Sequence, residues 1–223
     1  MNEHESFAGL YPVFLKLTGR TVLIAGGGNL ALQKLETLAP TGADVLAVAP
    51  GFLPGFDFWR GTGRLTLVRG MYSPELLKGV ALVFAATDDP ALNKRITLQA
   101  QAAGLWANAV DQPEECRFYT PSVIRRGPFM VAVSSEGGFP GLVKALRQVL
   151  EGLLPGHDEG AIRDLFGLRR AVLASGLGFG PRSRVLKRLA ESFRREYLEV
   201  WNPPSPPEGE AGTLPPKEQP QPL

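Results

Sequence analysis

The stretch TVLIAGGGNLALQKLETLA (21–39) constrains the chain more than any other. An apolar run (21–27) ends in glycine, as a strand buried on both faces does. It leads into LALQKLETLAPTG (30–42), apolar at 30, 31, 35, 38 and 39, a helical spacing that stops at Pro40 and Gly42. Between them, Gly26-Gly27-Gly28-Asn29-Leu30-Ala31 fits G-x-G-x-x-A. Gly26 allows a tight turn, Gly28 lets a pyrophosphate approach the backbone, and Ala31 permits close helix–strand packing. The helix N-terminus favours the phosphate charge.

The rest of the first half repeats this alternation. ADVLAVAPG (43–51), LTLVRG (65–70), VALVFAATDD (80–89) and LWANAVD (105–111) read as strands. PALNKRITLQAQAAG (90–104) reads as a helix with proline at its start and glycine at its end. Strands alternating with helices predict a parallel sheet covered on both faces, an α/β Rossmann-like domain over residues 1–113. After it, FYTPSVIRRGPFMVAVSSEGG (118–138) reads as two extended runs joined at RRGP. This gives a small β segment (114–140) that must pack on something, and a second copy of the chain is a plausible choice. Helical patterns over 140–156, 158–175 and 181–201 form a C-terminal helical region (141–202). Residues 203–223, rich in Pro, Glu and Gly, have almost nothing to bury and are expected to be a disordered tail.

The charge balance, 24 Lys+Arg against 22 Asp+Glu, does not suggest a nucleic-acid binder. No apolar stretch approaches the ~20 residues of a membrane helix, and the N-terminus lacks the pattern of a signal peptide. With a single cysteine, Cys116, no intramolecular disulfide is possible, and the chain is expected to be cytoplasmic. Cys116 itself reads as a buried structural thiol. His4 and His157 lie in segments expected to be flexible, and no His/Cys cluster could hold zinc.

Where a dinucleotide site usually has an acid for the ribose, this chain reads AVAPGF (47–52). Either backbone groups near Pro50 and Gly51 hold the ribose, or the ligand is not a dinucleotide. Thr87 and Asp88, at the end of a strand, are placed to contact the cofactor; Asp88 or Asp89 could equally cap the next helix. Asp111 ends a strand on the same edge as the glycine loop. It could be a general base, an oxygen ligand for a metal, or a turn former before Pro113.

Four ordered segments together resemble the precorrin-2 dehydrogenase / sirohydrochlorin ferrochelatase family, the N-terminal module of siroheme synthase. They are YPVFLKLTGRTVLIAGGGNLALQK (11–34), AATDDPALN (85–93), NAVD (108–111) and FYTPSVIRRGPFMVAVSSEGGFP (118–140). The resemblance runs from about Leu10 to Leu154 and departs from the family pattern at Gln33 and Phe139. It implies NAD as cofactor, contacted at Asn29, Leu30, Pro50 and Gly51, in a family that manages without the ribose acid. Asp111 falls on the family's catalytic aspartate, proposed to serve both dehydrogenation and metal insertion. The reaction implied is oxidation of precorrin-2 to sirohydrochlorin, with ferrous iron as a further substrate where chelation occurs. The family is a homodimer, its contact formed by the segment after Asp111. The substrate carries eight carboxylates, so Arg117, Arg125, Arg126, Lys144 and Arg147 are candidate cations. Asn108 and Ser134, with Arg117 and Lys144, are the expected substrate contacts. The alternative is a nucleotide-sensing module without catalysis, motivated by the absent acid and Gln33.

Overall fold

In the computed structural model, residues 9–110, 112–126, 129–153 and 159–195 are described. Asp111, the tail 203–223 and the predicted helix end at 196–201 lie outside the described residues. By its internal contacts the chain divides into two compact units. One comprises Met1–Pro121 with Ser134–Pro140, the other Ser122–Val133 with Gly141–Leu223.

The first unit holds β1 (Thr21–Ala25), α1 (Asn29–Leu38), β2 (Asp44–Ala49), α2 (Gly55–Arg60), β3 (Leu65–Arg69), β4 (Val80–Ala85), α3 (Pro90–Ala102) and β5 (Trp106–Ala109). The five strands form a parallel sheet in the order β3-β2-β1-β4-β5. The chain builds outward from β1 through β2 and β3, then crosses back to place β4 on the other side of β1. The carboxyl ends of β1 and β4 therefore flank the point where strand order reverses, which is where open sheets of this kind bind ligands.

Successive strand residues point to opposite faces. Val22 and Ile24 pack with Ala31, Leu35 and Leu38 of α1 and with Phe56 of α2. Leu23 and Ala25 pack on the other face with Val83, Ile96 and Ala100. With both faces covered, β1 has no position that favours a polar residue, and its sequence is a continuous apolar run for that reason. The helix α2 was not anticipated. It is six residues long and opens after Pro54, too short for a 3.6-residue period to show.

In the second unit β6 (Ser122–Arg126) and β7 (Phe129–Val133) pair antiparallel, Ser122 opposite Val133. The unit also contains α4 (Pro140–Leu153, from Gly141), α5 (Glu159–Ala174) and α6 (Phe179–Phe193). Phe129 of β7 stands against both Phe166 of α5 and Phe193 of α6, ring centroids 6.1 Å apart in each pair, and Ile124 is buried.

Candidate functional site

The three glycines do different things. Gly26 has φ +138, and its N–H donates to Val48 O at 2.9 Å. A Cβ there would lie 2.2 Å from Ala86 O, the carbonyl that follows β4. A Cβ on Gly27 would lie 1.9 Å from Gly51 O, in the turn after β2. The turns after β1, β2 and β4 are thus in backbone contact, and only glycine fits the first two positions of the triplet. Gly28 differs. It is the N-cap of α1 with extended backbone (φ −86, ψ −168), and a Cβ there would meet nothing within 4 Å. No side chain caps α1, and its first turn carries no acidic residue. Asn29 and Leu30 are exposed in that turn, and Pro50 and Gly51 are exposed beside it. The result is an open cradle at a helix N-terminus, walled by backbone, that fits a pyrophosphate.

Across the crevice, Asp89 caps α3, accepting from the N–H groups of Ala91 (2.9 Å) and Leu92 (3.1 Å). Of the two aspartates weighed for that role, Asp88 is left exposed. Thr87 is drawn inward. Its hydroxyl lies 2.7 Å from Asn93 Oδ1 and 3.1 Å from Asp89 O. Its N–H donates to Asn93 Oδ1 at 3.0 Å, and its carbonyl accepts from Asn93 Nδ2 at 2.9 Å.

The end of β5 is held by a second set of bonds. Asn108 is buried, and its Nδ2 donates to Phe118 O (3.0 Å) and towards Cys116 Sγ (3.3 Å). The Ala109 N–H also donates to Cys116 Sγ, and the thiol lies 3.2 Å from Ala109 O and from Gln112 O. Burial raises the Cys116 pKa above its ordinary value, with hydrogen bonding to Ala109 opposing the shift. Gln112 Nε2 donates to Pro90 O, Gln101 Nε2 donates to Glu115 O, and Lys94 pairs with Glu115 at 2.5 Å. The residues on either side of position 111 are therefore tied both to β5 and to α3.

Of the remaining candidates, Arg117 is exposed, its backbone N–H donating to Ala107 O. Ser134 Oγ accepts from Glu136 N–H at 3.1 Å in a tight loop where Glu136 has φ +54. Lys144 is exposed on α4 in the second unit, where Arg147 pairs with Glu151. Among the described residues, no group of three or more His, Cys, Asp or Glu could hold a metal ion.

Sequence reasoning quoted Asn93 only as the last residue of the AATDDPALN segment, with no role of its own, and gave Cys116 no bonding partners. The available signal was an asparagine at a position that shares the inward face of α3 with Ile96 and Ala100.

A family model described as "Putative NAD(P)-binding" matches residues 13–122. Siroheme synthases of Escherichia coli (strain K12 / DH10B) and of Escherichia coli (strain 55989 / EAEC) are each 41% identical over 178 residues. Each match covers 80% of this chain and 39% of the relative, so the chain spans about two-fifths of the length of these relatives. The solved structure of SirC, precorrin-2 dehydrogenase, aligns with a TM-score of 0.73 at 25% identity, covering 85% of this chain and 94% of that one. The chain belongs to the precorrin-2 dehydrogenase family. The five-stranded sheet and the glycine cradle lie within the region matched by the NAD(P)-binding model.

Proposed function

We propose that this chain oxidises precorrin-2 to sirohydrochlorin in siroheme biosynthesis, with NAD accepting the hydride. The observation that carries the reading is the backbone cradle between the β1, β2 and β4 turns, in a chain similar to siroheme synthase and to SirC, precorrin-2 dehydrogenase. In the cradle, Gly26 and Gly28 shape the pyrophosphate seat, Asn29 and Leu30 border it, and Pro50 and Gly51 stand where the ribose would lie. Bound NAD supplies the two-electron acceptor. Asp111 is the proposed base for the substrate's proton. Asn108 acts through the loop after β5, while Ser134, Arg117 and Lys144 are proposed to meet the substrate's oxygens and carboxylates. Asp111 is also the proposed oxygen ligand for ferrous iron, as a second substrate.

The sequence boundaries remain the proposed division of labour: residues 1–113 for NAD, 114–140 for dimerisation, 141–202 helical, and 203–223 a tail. A homodimer is supported by exposed apolar side chains within the second unit, among them Val123, Phe129 and Met130 on the hairpin and Leu142, Leu146 and Val149 on α4. No helix among the described residues is long and apolar enough to cross a membrane, and cytoplasmic residence is proposed with the function.

The test is anaerobic. Precorrin-2 and NAD are supplied to the purified protein and absorbance is followed. NADH appearing together with sirohydrochlorin supports the dehydrogenase, and later addition of ferrous iron tests chelation. A folded protein that binds NAD yet forms no NADH would overturn the catalytic reading in favour of a nucleotide sensor.

A further inference from the structure

A buried asparagine on an apolar helix face is costly unless its amide is satisfied. Asn93 is 3% exposed and shares the inward face of α3 with Ile96 and Ala100. Among the described residues, its side-chain hydrogen bonds go to one residue, Thr87, whose N–H, carbonyl and hydroxyl it engages together. Helix α3 does not need these bonds, because Asp89 already caps it. The turn after β4 does need them. Past Ala86, whose N–H donates to Ala25 O, Thr87 has left the sheet ladder, and its backbone polar groups are paired by the Asn93 amide. The same turn carries Ala86 O, the atom that would meet a Cβ on Gly26. A movement at Thr87 is therefore passed through one peptide to the glycine turn.

We infer that Asn93 is a positioning residue for the dinucleotide. It clamps Thr87 so that the turn after β4 stands at a fixed distance from the glycine turn after β1, setting the width of the crevice between them. Thr87 serves the site through this clamp, with its hydroxyl turned to Asn93 and Asp89 and not to the cofactor. The inference rests on reading the crevice as the NAD site.

The test is calorimetric titration of the full chain with NAD, alongside the KM for NAD, for Asn93→Ala, Thr87→Val, the double variant and Thr97→Val. Thr97 is the control, a buried hydroxyl on the same helix whose bonds, among the described residues, go to Asn93 O and Lys94 O within α3. Asn93→Ala is expected to raise the Kd for NAD by about tenfold or more, the consequence of losing several hydrogen bonds at once. The loss should appear in the KM for NAD more than in kcat at saturating NAD. Thr87→Val should show a smaller rise. The double variant should be no weaker than Asn93→Ala alone, because both changes break one clamp. Thr97→Val should leave the Kd unchanged. An unchanged Kd in Asn93→Ala, additive losses in the double variant, or an equal loss in Thr97→Val would overturn the inference. Should Asn93→Ala not fold, Thr87→Val against Thr97→Val decides alone. Wild-type protein that binds no NAD would overturn the NAD reading itself, an outcome distinct from these.

Discussion

The glycine triplet makes a prediction in which two adjacent substitutions to alanine separate folding from binding. At Gly28 an added Cβ meets no atom within 4 Å, and the backbone is extended with φ −86, open to any residue. Alanine is a poorer N-cap than glycine by about 0.5–1 kcal/mol. Against that, it restricts the unfolded chain by about 0.4–1 kcal/mol where the native backbone suits it. The two nearly cancel, so Gly28→Ala should shift Tm by no more than about 2–4 °C. Yet the methyl would project into the open space at the α1 N-terminus where a pyrophosphate would sit. The Kd for NAD should rise at least about tenfold, a loss of ~1.4 kcal/mol or more. Gly27→Ala should behave in the opposite order, because its Cβ would lie 1.9 Å from the Gly51 carbonyl carbon's oxygen and the β2 turn must shift to admit it. That forced movement of packed backbone should cost several kcal/mol, at the upper end of single-substitution effects. Thermal unfolding and titration with NAD measure both quantities on the same samples. A stable Gly28→Ala that binds NAD as tightly as wild type would refute the argument, since no phosphate could then be seated against that glycine.

Asp111→Ala should abolish NADH formation from precorrin-2 while leaving the Kd for NAD within about threefold, since a missing base affects only the chemical step; retained turnover removes Asp111 from the mechanism. The Cys116 thiol has its pKa raised by burial, so it favours the folded state below the ordinary thiol pKa. That contribution is lost as pH rises through the ordinary value towards the raised one, because the unfolded chain gives up its proton first. The urea midpoint of wild type should therefore fall more between pH 8 and pH 10 than that of Cys116→Ser, and parallel curves would contradict the assignment.

The alternation of strands and helices was legible because each strand is covered on both faces. β1 and β4 could then be apolar throughout, while α1 and α3 carried a 3.6-residue pattern and closed at Pro40 and Gly104. The Gly26 turn was legible for a related reason: close backbone approach leaves a mark that only glycine can meet. Other features left no such mark. Helix α2 is shorter than the period that would reveal it. Thr87 and Asp88 sit side by side in a sequence that suits capping or ligand contact equally, and the choice fell to Asp89 for the cap and to Asn93 for Thr87. The residues around Cys116 drew attention for Asp111 and for a structural thiol, but no pattern in them showed that they tie the end of β5 to α3. The sequence by itself determined the sheet, the longer helices and the place of the glycine cradle, because burial and backbone sterics act on each residue locally. Only the tertiary structure decided which polar groups face one another, because a hydrogen bond is a directional contact between segments whose pairing no local pattern encodes.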